Sequence, residues 1–304
     1  MKNDMDYLCE FKKNNIKFNI VHEADALDIM RNDFSFYKIW SYTSLFEKYR
    51  SGDNCGLFVN LDFGQLYYLA KIDSELSCIL MCMCLDVEEK LKTKLIFDAE
   101  KICDTNSLLI EYYNNDRKYL EHNYTADNND TINNKNIIGT ITQMSFAEFL
   151  DVAQFGTLER LIHYFYRKYA FDMYGVDFLP FEAHLSSVRR IRNIVAHNNS
   201  ILNKLAIQTD YYDLKMLAFL GQQGIKNRTL HTNMSKLMIS DLCGFFDIYF
   251  NLINKRSTVE LLEDFDKNCI QEYKHFFINH DLLESSYNFL KNAIIIFQKN
   301  KKST

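Results

Sequence analysis

One stretch in the second half of the chain concentrates side chains that could act on a phosphate group. Residues 182–205 read EAHLSSVRRIRNIVAHNNSILNKL and include three arginines, an amide and an imidazole: Arg189, Arg190, Arg192, Asn193 and His197. An unperturbed imidazole titrates near pH ~6.5, so His197 is the candidate for transferring a proton, as acid or as base. A guanidinium binds two phosphate oxygens at once, so Arg192 is the candidate for stabilising charge on a phosphate.

A helical projection of this stretch separates an apolar face from a charged one. At about 100° per residue, one arc of roughly 120° contains only aliphatic side chains: those of Val188, Ile191, Ile194 and Val195. The polar residues share the remaining arc, where Ala196 lies between Arg192 and His197 and leaves space for a phosphate. Because like charges repel, a phosphate-bearing ligand is the simplest reason for the cluster. The alternative is an ordinary amphipathic helix with an unrelated arginine and a solvent-facing histidine.

The elements that must position these residues are predicted to be helices. The chain has 304 residues, which is enough for a sizeable core, but only 1 proline and 9 glycines. Sandwiches, barrels and doubly wound sheets need turn residues far more often than helical proteins do. The scarcity of turn residues therefore predicts an all-α fold.

Apolar residues spaced three and four apart predict where the main helices lie. Helices are expected over 34–50, over 62–102 as one long helix or two end to end, and from about Ser145, which can form a capping box with Glu148. The site helix follows Pro180, and later helices are expected at 211–220, 234–253, 259–277 and 282–297.

Three segments are expected from this pattern. Residues 1–55 are predicted to be N-terminal helices that pack on a core formed by residues 56–208, and residues 209–304 to be a C-terminal helical extension. The core includes residues 114–136, a polar and Asn-rich stretch that is predicted to be a loop or an insertion.

Composition excludes several classes of protein. A net charge of −5 excludes a globally basic nucleic-acid binder, although a local basic face is still compatible with it. The 8 cysteines are scattered or lie in an apolar run, so they are predicted to be reduced core thiols. No apolar stretch is long enough to span a membrane, so a cytoplasmic protein without membrane contact is expected. No motif for a metal, nucleotide or other cofactor is found, and none is predicted.

Two other groups of residues are further candidates for a functional role. Arg117 and His122 have the same spacing as Arg192 and His197, but they border the Asn-rich stretch and no apolar arc opposes them. The aromatic run from Tyr164 to Phe171 could stack on bases, although a place in the core is the stronger interpretation.

The hexapeptide Arg192-Asn193-Ile194-Val195-Ala196-His197 resembles the R-x4-6-H signature of HEPN ribonucleases, which occur in toxin–antitoxin systems, abortive-infection systems and type VI CRISPR effectors. Four ordered blocks, FYKIWSYTSLF, LYYLAKIDSELSCILMCMCLDVEEKLKTKL, FGTLERL and LSSVRRIRNIVAHNN, resemble those of the Abi-like family of bacterial abortive-infection proteins. The resemblance spans about residues 25–205. The family's usual glycine in the first block is Ser41 here, and the residues after about 210 carry no matching motif.

This resemblance implies a HEPN-like helical bundle with additional C-terminal helices, and a metal-independent endoribonuclease toxin active in phage defence. In that activity His197 would transfer the proton, Arg192 would stabilise the phosphorane, and Asn193 would orient the phosphate or the imidazole. Arg189 and Arg190 would bind the RNA backbone, and Glu88 and Lys92, which match polar positions of the family block, would line the cleft. One helix supplies one imidazole, so a homodimer that pairs two helices is expected.

The resemblance further implies a restraining partner, such as a small non-coding RNA antitoxin. The alternative function is a non-catalytic module that holds a structured RNA through its arginine-rich helix face. A helical protein–protein adaptor is a third possibility, but it leaves the arginine cluster unexplained.

Overall fold

The computed structural model describes residues 4–125, 141–170, 179–210, 213–253, 255–277 and 280–300. Within these ranges the chain consists of α-helices joined by loops and by short 3-10 and π turns, without a strand, and about 79% of it is helical. The predicted all-α fold is confirmed. Before the site helix, the described residues form α1 Asp4–Lys13, α2 Glu23–Asn32, α3 Phe36–Ser41, α4 Phe63–Ile102, α5 Thr105–Thr125, α6 Phe146–Val152 and α7 Phe155–Phe165.

The site helix and the elements after it complete the described chain. Their bounds are α8 Leu179–Ala196, α9 Leu214–Gln222, α10 Asn227–Met234, α11 Leu237–Leu252, α12 Arg256–Phe265, α13 Gln271–Tyr273 and α14 Asp281–Lys299. Short 3-10 turns lie at Tyr42–Leu45, Ile141–Gln143, Leu202–Ala206 and Lys274–Phe277, and π turns at Tyr166–Ala170 and Asp266–Ile270.

Helix α4 is the long element that the apolar pattern over 62–102 predicts, and it is one helix of 40 residues. It begins in a capping box, in which the Asp62 carboxylate accepts a hydrogen bond from the backbone N–H of Gly64 at 2.8 Å and the Gln65 side chain accepts one from the backbone of Asp62. No proline interrupts it. A single helix therefore runs through both halves of the protein.

Two hydrophobic cores form along α4. The first encloses the N-terminal helices and the beginning of α4, with Phe11, Ile39 and Leu66 fully buried. The second joins the rest of α4 to α5, α7, α8 and the C-terminal helices, so residues on both sides of position 209 share one core. The predicted division into three segments stays a prediction.

Helix α11 packs against the site helix, α8. The two helices lie close together at Gly244, where an added Cβ would lie 3.0 Å from the hydroxyl oxygen of Ser187. A larger residue at position 244 would require the Ser187 side chain to shift by a few tenths of an ångström. The C-terminal extension therefore packs directly behind the predicted catalytic residues.

Several predicted bounds are wrong in extent. The helix expected over 34–50 ends at Ser41, because the chain turns into a 3-10 segment there. The stretch 114–136 is helical as far as Thr125, with non-helical backbone at Asp116, and its remaining residues lie outside the described ranges. The capping box of Ser145 and Glu148 is confirmed at the start of α6.

The bounds of the C-terminal helices differ from those that the apolar patterns predicted. The helix expected at 211–220 lies at Leu214–Gln222, and the one expected at 234–253 begins at Leu237, after the separate helix α10. The pattern over 259–277 divides into α12, a π turn, α13 and a 3-10 turn. The spacing of apolar residues indicates which residues are buried, but it does not indicate where the backbone departs from α-helical geometry.

The cysteines are all free, but the expectation that they are core thiols is only partly correct. Cys84, Cys243 and Cys269 are buried, whereas four others are exposed: Cys9, Cys55, Cys78 and Cys82. The apolar run around Cys78 belongs to a helix that is buried on one side only. Among the described helices, none combines the length and the apolarity that a membrane span requires.

Candidate active site

The end of α8 determines where the imidazole of His197 lies. The helix begins at Leu179, with Pro180 in its first turn, and ends at Ala196. Asn198 adopts a positive φ of 50°, its backbone N–H donates to Val195 O, and the N–H of Asn199 donates to Ile194 O. These two hydrogen bonds form a Schellman motif. The helix predicted over 182–205 therefore stops early, and His197 is its C-cap residue instead of a member of its polar face.

A buried carboxylate holds the loop that follows this cap. The Asp73 side chain on α4 is fully buried, and its Oδ1 accepts hydrogen bonds from the backbone N–H groups of Ile201 and Leu202, both at 3.0 Å. These amides lie at the start of a 3-10 turn, where they have no partner within the turn itself. Asp73 therefore fixes the backbone four residues after His197.

The second oxygen of Asp73 ties the same loop to the N-terminal helices. Its Oδ2 accepts a hydrogen bond from the Tyr42 hydroxyl at 2.7 Å and lies 3.5 Å from the ammonium of Lys38. Lys38 also donates to the backbone carbonyl of Asn198 at 3.2 Å. Burial, with the Asp73 carboxylate beside it, raises the pKa of Tyr42 well above its usual value. The turn that carries His197 is thus held by three elements.

Sequence reasoning missed Lys38 and Asp73. A signal was present for Asp73, because it occupies an inward position between Leu69 and Leu80 in the apolar stripe of α4. A carboxylate at a core position requires partners for its oxygens. The partners come from distant parts of the chain, so the sequence pattern could flag Asp73 but not identify what it binds.

Two of the predicted RNA-binding arginines are neutralised within the chain. Arg189 donates from Nε to the Glu159 carboxylate on α7 at 2.6 Å, and Arg190 binds Asp241 on α11 through two nitrogens, with Nε at 2.8 Å. The inference that this cluster needs an external anion is therefore wrong for these two residues. Their guanidinium groups remain about two-fifths exposed, at 42% and 43%. A role in RNA binding stays a prediction for both.

Arg192 differs from its two neighbours. It is half-buried, and in the part of the chain that the structure describes no carboxylate or hydrogen bond holds its guanidinium. Its charge acts on the Cys84 thiol of α4: burial raises the pKa of this thiol to about 12, Arg192 opposes that rise, and Glu88 adds to it. Arg192 on α8 and Glu88 on α4 therefore both act electrostatically on the Cys84 thiol.

Glu88 and Lys92 form an ion pair of 3.0 Å one turn apart on α4. Both side chains are largely buried, with 16% and 14% exposed, so the pair is more than a freely solvated surface contact. It lies on the same helix as Cys84, and within the described ranges no ion pair joins the Glu88 carboxylate to Arg192. The predicted place of this pair beside the cleft stays a prediction.

Asn193 and His197 are both exposed at the end of α8. Within the described ranges, no hydrogen bond engages either side chain, so both are available to a ligand. The other pair of the same spacing differs, because Arg117 donates to Glu121 at 2.7 Å on the exposed surface of α5. Only the pair at 192 and 197 combines a half-buried guanidinium, free of a carboxylate, with an exposed imidazole.

His184 ties the other half of α8 to the C-terminal extension. Its ring contacts Asp247 on α11 at 3.1 Å through Nδ1 and Asp213, the N-cap of α9, at 2.8 Å through Nε2. Burial lowers the pKa of His184, and the hydrogen bonds to Asp247 and Asp213 raise it by more, so the pKa lies above its ordinary value. The His184 ring therefore bridges two carboxylates behind the site.

Across the described ranges, no group of three or more His, Cys, Asp and Glu residues is arranged to hold a metal ion. The groups at the end of α8 that could act on a substrate are the imidazole of His197, the guanidinium of Arg192 and the amide of Asn193.

A model of the Abi-like protein family matches residues 30–203, more than half of the chain. The chain belongs to the Abi-like family. Membership indicates a role in abortive infection. The match includes Lys38, Asp73 and Arg192 as well as His197, and it ends just before the C-terminal extension. Comparisons with curated proteins and with solved structures give no match.

Proposed function

We propose that the chain is a metal-independent endoribonuclease of the HEPN type that acts as a toxin in abortive infection. One observation carries this proposal: Arg192 is a half-buried guanidinium without a carboxylate partner in the described chain, and it precedes the exposed imidazole of His197 by five residues on a rigid helix end. A half-buried cation without a carboxylate partner has electrostatic reason to bind a phosphate.

The reaction needs few groups. The RNA 2′-hydroxyl gives its proton to a base, its oxygen forms a bond to the adjacent phosphorus, the P–O5′ bond breaks, and the leaving 5′-oxygen takes a proton from an acid. His197 serves the proton transfer and Arg192 stabilises the charge that grows on the phosphorane. Asn193, exposed one residue after Arg192, orients the phosphate or the imidazole. Products with a 2′,3′-cyclic phosphate and a 5′-hydroxyl follow from this scheme.

Acid and base catalysis in one turnover need two proton-transfer groups, and the end of α8 supplies one imidazole. A homodimer that brings the two α8 ends together supplies the second. His197 is free to reach a second subunit because it is an exposed C-cap residue. A free ribonuclease would damage its own host, so a restraining partner, such as a small non-coding RNA, belongs to the proposal.

Growth arrest tests the assignment. Expression of the chain should arrest bacterial growth, and His197→Ala should relieve the arrest without lowering the amount of folded protein, because the ring makes no core contact. His122→Ala is the matched control, since it removes an exposed histidine of the same R-x4-H spacing on α5. Equal relief by both variants, or by neither, contradicts the catalytic assignment.

Purified protein tests the chemistry. Cleavage should survive excess EDTA, and the RNA ends should have the termini given above. Arg192→Ala should lower the single-turnover rate by about 10²- to 10³-fold, as expected for loss of one preorganised charge donor, and affinity much less. Uniform loss of RNA affinity in the Arg189, Arg190 and Arg192 variants, with an unchanged rate once bound, identifies a non-catalytic RNA-binding module instead.

Mixed dimers test the composite site. When wild-type and His197→Ala subunits are combined in equal amounts, random pairing leaves about one quarter of the dimers with two imidazoles. Activity should therefore fall to about one quarter if both are needed, and to one half if each subunit acts alone.

A further inference from the structure

A polar groove lies between α10 and α14, in the C-terminal extension. Its volume is about 300 Å³, at the lower end of the roughly 300–1,000 Å³ typical of ligand sites. Two of the residues that line it, Asn233 and Phe289, are buried. The exposed residues that line it are Arg228, Thr229, Thr232, Asn288 and Asn292. Most of the groove wall is therefore able to form hydrogen bonds with a ligand.

A buried lysine contacts this wall from behind. Lys236 is only 4% exposed, and its ammonium donates hydrogen bonds to Asn233 Oδ1 at 2.9 Å and to the hydroxyls of Ser285 and Ser286 at 3.4 and 3.0 Å. The Ser285 hydroxyl itself donates to Asn233 Oδ1 at 3.1 Å. Asn233 and Ser285 both line the groove, so the ammonium contacts two residues of its wall.

The positive charge of Lys236 has no counterion within the described ranges. The three groups that accept its hydrogen bonds are neutral. Burial lowers the pKa of Lys236, and no carboxylate opposes this effect. Lysine is rarely buried to this extent unless it is paired, because the removal of a charge from water costs free energy. An anion in the groove would offset that cost.

The segments that form the groove are rich in cations. Residues 214–240 and 285–300 together contain six lysines and arginines and no aspartate or glutamate. Lys291 is paired with Asp266, 2.7 Å away. Arg228, by contrast, lines the groove, and in the part of the chain that the structure describes no hydrogen bond or carboxylate holds its guanidinium. Arg228 and Lys236 therefore both keep a positive charge beside the groove.

The carboxylates that flank these segments do not line the groove. Asp213 and Asp241, which precede and follow the first segment, contact side chains of α8. Asp281 and Glu284, in the first turn of α14, are exposed and are not among the residues of the groove wall. The groove therefore presents cations, hydroxyls and amides, a set that suits an anionic and hydrogen-bonding ligand.

The neutral groups narrow the class of ligand. Thr229 and Thr232 present hydroxyls on α10, which can donate to phosphate oxygens. Asn288 and Asn292 are exposed one turn apart on α14. A carboxamide offers a donor and an acceptor side by side, which matches the edge of a nucleobase.

We propose that this groove binds a small phosphate-bearing ligand of the nucleotide class, with its phosphate at Arg228 in front of Lys236 and its base at Asn288 and Asn292. The site is separate from Arg192 and His197, and the inference does not depend on cleavage of RNA.

The test measures binding of inorganic phosphate and of adenosine 5′-monophosphate by calorimetry at constant ionic strength. The full-length chain is used with Arg192→Ala, so that the candidate active site does not contribute a second phosphate site. Arg228→Gln is added to remove the guanidinium of the groove. The matched control is Lys226→Gln, which removes an exposed cation at the N-cap of the same helix, outside the groove wall.

The nucleotide should bind with a Kd of about 1 mM or tighter. Arg228→Gln should weaken binding of both the nucleotide and phosphate about tenfold or more, as expected for loss of a hydrogen bond between charged groups. Lys226→Gln should change either affinity by about twofold or less, because an exposed charge outside the site is screened.

Two further variants separate the charge from the base contacts. Lys236→Met should weaken binding of phosphate and nucleotide alike, measured on protein whose melting transition shows that it is folded. Asn288→Ala with Asn292→Ala should weaken binding of the nucleotide about tenfold and leave that of phosphate unchanged. If Lys236→Met does not fold, the exposed Arg228 and its control decide the question.

Equal affinities in Arg228→Gln and Lys226→Gln overturn the inference. Tighter binding of a short oligouridylate than of the nucleotide, lost in Arg228→Gln, also overturns it, because the groove is then a site for RNA. The two proposals fail separately. If the wild-type protein cleaves RNA and the groove binds no nucleotide, only this inference is wrong. If the nucleotide binds and no RNA is cleaved, only the proposed function is wrong.

Discussion

Replacement of Asp73 tests whether a buried carboxylate positions the loop after His197. Oδ1 of Asp73 accepts the Ile201 and Leu202 amides, and Oδ2 serves Tyr42 and Lys38. Asp73→Asn keeps an oxygen for the two amides and places an NH₂ group towards the other two partners. Asp73→Ala removes every acceptor. The difference between the two variants therefore isolates the hydrogen bonds to the loop backbone.

The magnitudes follow from the number of donors left without a partner. A buried donor without an acceptor costs about 1–3 kcal/mol. Asp73→Ala leaves the two loop amides and the Tyr42 hydroxyl in that state, so the free energy of unfolding should fall by about 3–6 kcal/mol, partly offset because the buried carboxylate no longer has to be desolvated. Asp73→Asn should cost about 1–2 kcal/mol, for the lost Lys38 pair and the weaker neutral bonds.

Urea unfolding and amide exchange measure these effects. The free energies of unfolding should differ by about 2–4 kcal/mol between the two variants. The amides of Ile201 and Leu202 should lose protection from hydrogen exchange in Asp73→Ala and retain it in Asp73→Asn. Stabilities that agree within about 0.5 kcal/mol, or equal protection of both amides in both variants, would refute the reasoning.

A functional readout separates positioning from simple stability. Asp98 is a second buried carboxylate on α4, and it binds the side chains of Lys94 and Tyr166 instead of the site loop. Asp98→Asn should lower stability and leave kcat for RNA cleavage unchanged below the unfolding transition. Asp73→Ala should lower kcat with little change in RNA affinity, because His197 loses its fixed position.

Three further predictions concern the packing of α8. Arg190→Ala leaves the buried Asp241 without its guanidinium partner, so the free energy of unfolding measured in urea should fall by about 1–3 kcal/mol. Arg192→Ala should change this free energy by less than about 0.5 kcal/mol. A larger loss of stability in Arg192→Ala than in Arg190→Ala would contradict the pairing. Because the pKa of His184 is raised in the folded protein, this residue should contribute stability that is complete below pH ~6.5 and is lost as the pH rises through the folded-state pKa. Urea unfolding at several pH values should show this dependence in the wild-type protein and not in His184→Gln. The same pH profile in both proteins would contradict the prediction. Gly244→Ala should destabilise the protein by about 1 kcal/mol and so lower its melting temperature, because the added methyl meets the buried hydroxyl of Ser187 at 3.0 Å and this steric cost exceeds the gain in helix propensity. A higher melting temperature would show that α8 and α11 can separate.

The sequence by itself determined the helical nature of the protein and its family. Few turn residues and the spacing of apolar residues predicted the all-α fold and a helical stretch over 62–102, as one helix or two end to end, which the structure shows to be the single helix α4. These properties are local, because each follows from residues within one or two helical turns. The ordered blocks that resemble the Abi-like family are likewise a property of the linear order, and the match over residues 30–203 agrees with them.

The ends of the helices were harder to predict from the sequence. The apolar pattern of α8 continues past residue 200, but the backbone leaves the helix at Ala196, since Asn198 adopts a positive φ and the amides after it find an acceptor in Asp73. Asparagine is one of the few residues other than glycine that tolerates this conformation. The sequence permitted a cap at this point, but the decision depended on a carboxylate more than a hundred residues away.

The charge state of the arginine cluster was decided by tertiary structure alone. Arg189, Arg190 and Arg192 share one helix face in the sequence projection, where only the hexapeptide sets Arg192 apart, and like-charge repulsion predicted an external anion for all three. Packing places Glu159 beside the first and Asp241 beside the second, and the third keeps its charge next to the Cys84 thiol. Coulombic energy depends on distances through space, which a linear sequence does not contain. Sequence therefore nominated the residues, and only the fold distinguished the cation that remains available for a phosphate.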